Sequence, residues 1–186
     1  MKTIKILSLA LLVTFFQSCN DDDSGPVNEE ELITTVRLNL MPAGGGTAVT
    51  MTYTDLDGDG PTAPIVIVSD NLTANTTYNG SITLLNESVS PAENISEEVA
   101  EEALDHQFFY NATNGIGTFS YVAPFDSNGN PVGLNFTFTT TTPTAGVITV
   151  VLRHEPNKDA AGVSTGEIAN AGGETDIQVT FPVTVE

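Results

Sequence analysis

The chain has 186 residues, 24 of them acidic and five basic, for a formal net charge of −19. Nucleic acid is excluded as a partner class, because phosphate binding needs clustered Lys and Arg. A single cysteine excludes an intrachain disulfide, and the length predicts one domain.

Lys2 and Lys5 precede an apolar run from Ile6 to Phe16, closed by Gln17-Ser18-Cys19. That is the layout of a secretory signal, and it is too short for a spanning helix of about 20 residues. Cys19 stands where a bacterial lipoprotein signal carries its lipidated cysteine, with Ser18 as the small residue before cleavage. The alternative is an ordinary signal peptide with an incidental cysteine. Asn20-Asp21-Asp22-Asp23 resembles the surface-export signal of Bacteroidetes lipoproteins; the competing reading is a solvated linker. The expected organisation is a signal peptide at 1–18, a lipidated cysteine with an acidic tether at 19–31, and one domain at 32–186. The expected location is the outer membrane facing the cell surface, with a periplasm-facing anchor as the alternative. Residues 1–18 hold two basic residues and no acid, so the mature chain carries −21. Such a surface keeps a protein soluble and can concentrate cations.

From Leu32 onward apolar, β-branched and aromatic residues recur with period two between short polar breaks. Leu32 to Leu40 is the first predicted strand, and Val49, Met51 and Tyr53 mark the second. Ile65 to Val68 is a short apolar third; Tyr78, Ile82 and Leu84 share one face of a fourth. A helix is predicted at about 96–106. Asn94-Ile95-Ser96-Glu97 has capping-box spacing, with Ser96 as the competing cap. Ile95, Val99 and Ala103 recur at four-residue spacing, and His106 falls at the helix end. Strands resume at Gln107 to Asn111, Ile116 to Val122, Leu134 to Phe138, Val147 to Arg153 and Ile177 to Val185. Nine strands and one helix, with frequent Gly and Asn turns, predict an all-β, immunoglobulin-like antiparallel sandwich.

Asp55, Asp57 and Asp59 alternate in Asp-Leu-Asp-Gly-Asp-Gly, a spacing that can offer three oxygens to calcium. Val66 stands where an EF-hand loop needs its last Glu, so a solvated turn competes. Asp126-Ser127-Asn128-Gly129-Asn130 reads as a hairpin turn first and a metal loop second. His106 and His154 are the only imidazoles, beside Asp105 and Glu155. His106, His154 and Glu155 are the candidate ligands for zinc or copper; the competing reading has each histidine bracing a loop. If successive strands run up and down, the 55–64 loop, the helix, the 124–133 loop and the 155–175 segment share one end. The plain turns at 41–47, 70–76, 112–115 and 142–145 share the other. Loops on a rigid scaffold are where binding concentrates. Ile148, Val150 and Leu152 form the purer apolar face of their strand, and His154 continues it to the rim of the core.

Catalysis has little support in the residues: there is no Gly-x-Ser-x-Gly elbow, no free thiol nucleophile and no phosphate-cradling loop. The leading expectation is a non-enzymatic module that binds a ligand, a divalent metal or an outer-membrane protein partner. A structural or adhesion module is the alternative, and a carboxylate-based hydrolase the remote one.

The chain resembles a group of Bacteroidetes (flavobacterial) lipoproteins. The matching stretches are N-E-E-E-L-I-T-T-V at 28–36, D-L-D-G-D-G-P at 55–61, L-L-N-E-S at 84–88, H-Q-F-F at 106–109, L-R-H-E-P-N-K at 152–158 and A-G-G-E-T-D at 171–176. Relatives often carry the label "type 1 periplasmic binding fold superfamily", which implies repeated β-α-β crossovers; the residues here predict one helix among strands. The resemblance implies location and a single domain. It implies no activity and transfers no functional residue.

Overall fold

The structure, a computed structural model of the chain, describes residues 32–58 and 60–186. The signal peptide at 1–18, Cys19, the tether to residue 31 and Asp59 lie outside the described residues. Nine strands form: β1 Thr35–Pro42, β2 Val49–Thr54, β3 Ile65–Val68, β4 Thr77–Leu85, β5 His106–Ala112, β6 Gly117–Val122, β7 Asn135–Thr140, β8 Thr144–His154 and β9 Glu174–Val185. Among the described residues one α-helix, α1, spans Ile95–Glu101, with short 3-10 turns at Val163–Thr165 and Ile168–Asn170. All nine strand positions match the period-two reading.

The strands pair antiparallel in two sheets, ordered β3-β2-β1-β4-β7-β6 and β5-β8-β9. With the β2–β3 hairpin set aside, the orders become β1-β4-β7-β6 and β5-β8-β9. Those are the ABED and CFG orders of a constant-type immunoglobulin sandwich. The hairpin is an insertion that extends the larger sheet beyond β1. The all-β sandwich is therefore the architecture, and a fold of repeated β-α-β crossovers is not.

Alternation builds the core. Val36 and Leu38 of β1 face Leu84 and Ile82 of β4, Leu40 and Tyr78 extend the same side of the big sheet, and Ile148, Val150, Leu152, Val179, Phe181 and Val183 answer from the small sheet. Antibody domains staple their sheets with a disulfide against a buried Trp. This chain has one cysteine and no Trp. Aromatic contacts take that place: Tyr110 of the small sheet packs on Phe136 at 4.4 Å and on Phe119 at 5.1 Å between ring centroids. Two tyrosines add directed ties. Tyr121 donates to the Phe108 carbonyl and Tyr110 to the Gly133 carbonyl, each at 2.6 Å. Burial pushes the Tyr121 phenol up to about 12, so it remains a donor throughout the physiological range.

Two local expectations are corrected. The helix covers 95–101 rather than 96–106, and His106 is the first residue of β5. Neither Asn94 nor Ser96 caps it by side chain: Asn94 Nδ2 donates to Glu97 Oε1 at 2.8 Å, and Ser96 Oγ accepts the Leu84 N–H at 2.7 Å. Ser96 thus docks the helix on β4, reinforcing the burial of Ile95 and Val99. The second face of β8 is covered as well. Val151 is buried with Phe109 under Val163 and Ala171, because the 155–173 segment folds back over the outside of the small sheet. That cover explains why His106, Gln107, Phe108 and Phe109 are all buried in succession.

Candidate functional site: the elaborated end of the sandwich

The two ends of the sandwich differ as strand parity predicts. At the plain end, turns are tied by short backbone bonds: Ala43 N–H to Thr77, Asn75 N–H to Thr141, Thr141 N–H to Ile116 and Thr113 N–H to Val147. At the other end lie the 55–64 loop, α1, the 123–134 loop and the 155–173 segment. Three of these four meet at one side chain. Lys158 is 6% exposed, and its ammonium donates to the Ala103 carbonyl after α1, to Asp126 Oδ2 at 3.1 Å and to the Pro131 carbonyl at 3.2 Å. Three donors meet three acceptors, the arrangement a buried ammonium needs.

Asp126 completes the node. Its Oδ1 accepts the N–H groups of Asn128 at 2.9 Å and Asn130 at 2.8 Å, which folds the loop on itself. Burial pushes this carboxyl up, yet the Asn130 N–H, Lys158 and the Asn128 N–H outweigh it and hold it below the usual carboxylate range. The Lys158 amine is drawn below its ordinary value by burial, against the opposing pull of Asp126 and Asp105. Asp126 is therefore a turn former and a counter-ion rather than a metal ligand. Further ties close the end: Asn130 Nδ2 donates to Asp159 Oδ1 at 3.1 Å, Glu155 N–H to the Asp105 carbonyl at 2.6 Å and Gln107 Nε2 to the Val163 carbonyl at 2.8 Å.

The structure brings the two histidines together. His106 and His154 are direct cross-strand partners, and their rings stack with centroids 4.7 Å apart and planes within 6°. His106 is buried and His154 half-buried, on the inner face below Phe108 and Leu152. His106 Nδ1 lies 3.3 Å from the Glu102 carbonyl, and Nε2 lies 3.7 Å from Asp176 Oδ2. A metal bonds imidazole in the ring plane at about 2 Å. Parallel stacked rings aim their nitrogens along separate planes, so this pair does not converge on one centre. Among the described residues no group of three or more His, Cys, Asp or Glu side chains is placed to hold a metal ion. Of the three expected ligands, His106 and His154 pair by stacking, and Glu155 contributes a left-handed backbone turn at φ 49°.

At the hairpin loop, Asp55 accepts the Tyr53 hydroxyl at 3.2 Å and Asp57 accepts the Thr62 N–H at 3.1 Å. That N–H holds the exposed Asp57 carboxyl below its usual range. Asp59, the third proposed calcium ligand, lies outside the described residues.

Two cavities flank the small sheet. A cleft of about 260 Å³ opens between β5 and β6, walled by Tyr110, Phe119, Tyr121 and Thr165. A wider groove of about 660 Å³ runs under Gly166–Ala169 past Phe109, Arg153 and Gln178. The first has no charged wall, and the second holds one carboxylate, Glu167. Neither offers the facing carboxyl pair of a glycosidase site.

Sequence reasoning missed Lys158. Its one signal was scarcity, since it is one of three basic residues in 32–186. Lysine is rarely buried, so its position pointed outward.

The fold and the braced end define an immunoglobulin-like β-sandwich with one elaborated loop end. Comparison with protein-family models, with curated proteins and with solved structures gives no match.

Proposed function

We propose that this chain is an outer-membrane lipoprotein, anchored at Cys19 and facing the cell surface. In this reading it acts as a non-enzymatic module that binds a partner or ligand through the end bearing α1 and the 123–134 and 155–173 loops. The supporting observation is the Lys158 node, which fixes three connections into one rigid surface while the opposite end keeps plain turns. Preorganised loops lower the ordering cost of binding. The N-terminal pattern around Cys19 and the resemblance to Bacteroidetes lipoproteins support the anchor. Cys19→Ala should move the protein from the membrane fraction to the soluble fraction; a variant that still fractionates with membranes would contradict the anchor.

A structural or adhesion role is the second reading, and the stacked histidines favour it over a metal-linked one. Zinc and copper content measured by mass spectrometry should be equally low in the wild type, His106→Ala and His154→Ala. Stoichiometric metal in the wild type, lost in both variants, would restore the metal reading.

A further inference from the structure

The hairpin that the immunoglobulin order does not require carries the three most exposed large apolar side chains among the described residues. Leu56, Ile65 and Ile67 are 61, 60 and 59% exposed. Val66 is also exposed, at 39%. The strand β3 is Ile-Val-Ile-Val, and it is the outermost strand of the six-stranded sheet. Natural edges are blunted by charge, proline or a bulge. β9, an edge of the other sheet, has such protection: Glu174, Asp176 and Pro182 lie in it, and Leu72 bridges its end. The β3 edge has neither charge nor proline.

Its hydrogen-bonding capacity is open as well. Ser69 N–H bonds the Thr50 carbonyl, and the register pairs Met51 with Val68 and Thr52 with Ile67. By alternation the backbone groups of Ile65 and Ile67 face β2, and those of Val66 and Val68 face away from the sheet. At one end of the strand, Leu56, Ala63 and Ile65 line a notch of about 300 Å³ with Asp55 and Asp57 among its walls. Asp70 is exposed just past the other end. An apolar edge thus has carboxylates at both ends.

We infer that β3 is a strand-addition site for an extended segment of another protein, with apolar residues at alternate positions and Lys or Arg flanks. Main-chain bonds to Val66 and Val68 give affinity, Ile65, Ile67 and the notch take the apolar side chains, and the carboxylates choose the flanks. A second copy of this chain fits worse. Two mature chains at −21 repel, and a four-residue edge buries far less than the roughly 1,200 Å² of a stable interface. This surface is separate from the Lys158-braced loops and stands whether or not they bind anything.

The test uses the full-length chain, isotope-labelled in detergent, and a short Val-Thr alternating peptide flanked by lysines. A glutamate-flanked peptide is the control. The Val66 and Val68 amides should shift and gain exchange protection, and the lysine peptide should bind at least about tenfold tighter than the control. Val66→Pro removes an outward N–H that β2 does not use, and Ile67→Lys charges the face; each should abolish binding with the fold intact by circular dichroism. Shifts at β6 or the loop end instead, equal binding of the two peptides, or binding that survives both variants would overturn the proposal. So would concentration-dependent self-association lost in Ile67→Lys, which would assign the edge to a second copy.

Discussion

Lys158→Met is expected to destabilise the domain by about 3–5 kcal/mol, the usual loss when one partner of a buried ion pair is removed. The deletion does more than erase an attraction. It leaves the Asp126 carboxylate without its cation, and leaves the Ala103 and Pro131 carbonyls without a donor. At roughly 2–4 °C per kcal/mol for a domain of this size, the melting temperature should fall by about 6–20 °C. Adding Asp126→Asn should recover more than about 1 kcal/mol, because an amide can keep the Asn128 and Asn130 bonds without a charge. The acid limb should move too. The folded Asp126 pKa lies below its unfolded value near ~4, so its stabilisation is complete above that value and is lost as pH falls through the lower, folded one. Without Lys158 the folded value rises, and acid unfolding should begin at higher pH. A loss under about 1 kcal/mol, or additive single and double variants, would show that the node is not a coupled unit.

Gly173→Ala is expected to cost about 2–4 kcal/mol and to free the 155–173 segment while the sheets persist. Gly173 has φ +67°, and a Cβ there would lie 2.2 Å from the His154 carbonyl oxygen and 2.9 Å from that of Glu155. Both obstacles are backbone, so no rotamer change relieves them. Gly172 is the internal control. It has φ +61° with open space around it, so alanine there carries only the left-handed penalty of roughly 1–2 kcal/mol. Limited proteolysis reads the difference: new cuts within 157–170 for Gly173→Ala, and near wild-type resistance for Gly172→Ala. Equal resistance and equal melting temperatures in the two variants would overturn the argument.

The strands were legible because a half-buried strand writes its alternation into the chain, as Ile148, Val150 and Leu152 do. Parity of the hairpins then placed the loops at the correct ends. Partner choice was not legible. Nothing local says that β5 pairs with β8, and only that pairing stacks His106 on His154. Burial sense failed where local pattern and tertiary position diverge. Ile65 to Val68 reads only as a short apolar strand, which fits a core or an edge, and β3 is an edge. The burial of Phe109 and Val151 was not legible, because the segment that covers them has no period. Lys158 reads as surface because its acceptors come from two chain segments distant from its own.

Those three segments also give the Lys158 node a place in time. Its acceptors lie just after α1 and in the β6–β7 loop, and Lys158 itself follows β8, so no two neighbouring strands can assemble it alone. Pairings such as β1 with β4 and β5 with β8 span long stretches of chain and make such a sandwich slow to form. The node closes only after both sheets have met. An interaction absent from the folding transition state acts on the way out rather than on the way in. Lys158→Met is therefore expected to raise the unfolding rate far more than it slows folding, as a latch on the formed loop end would, and stopped-flow kinetics would check this.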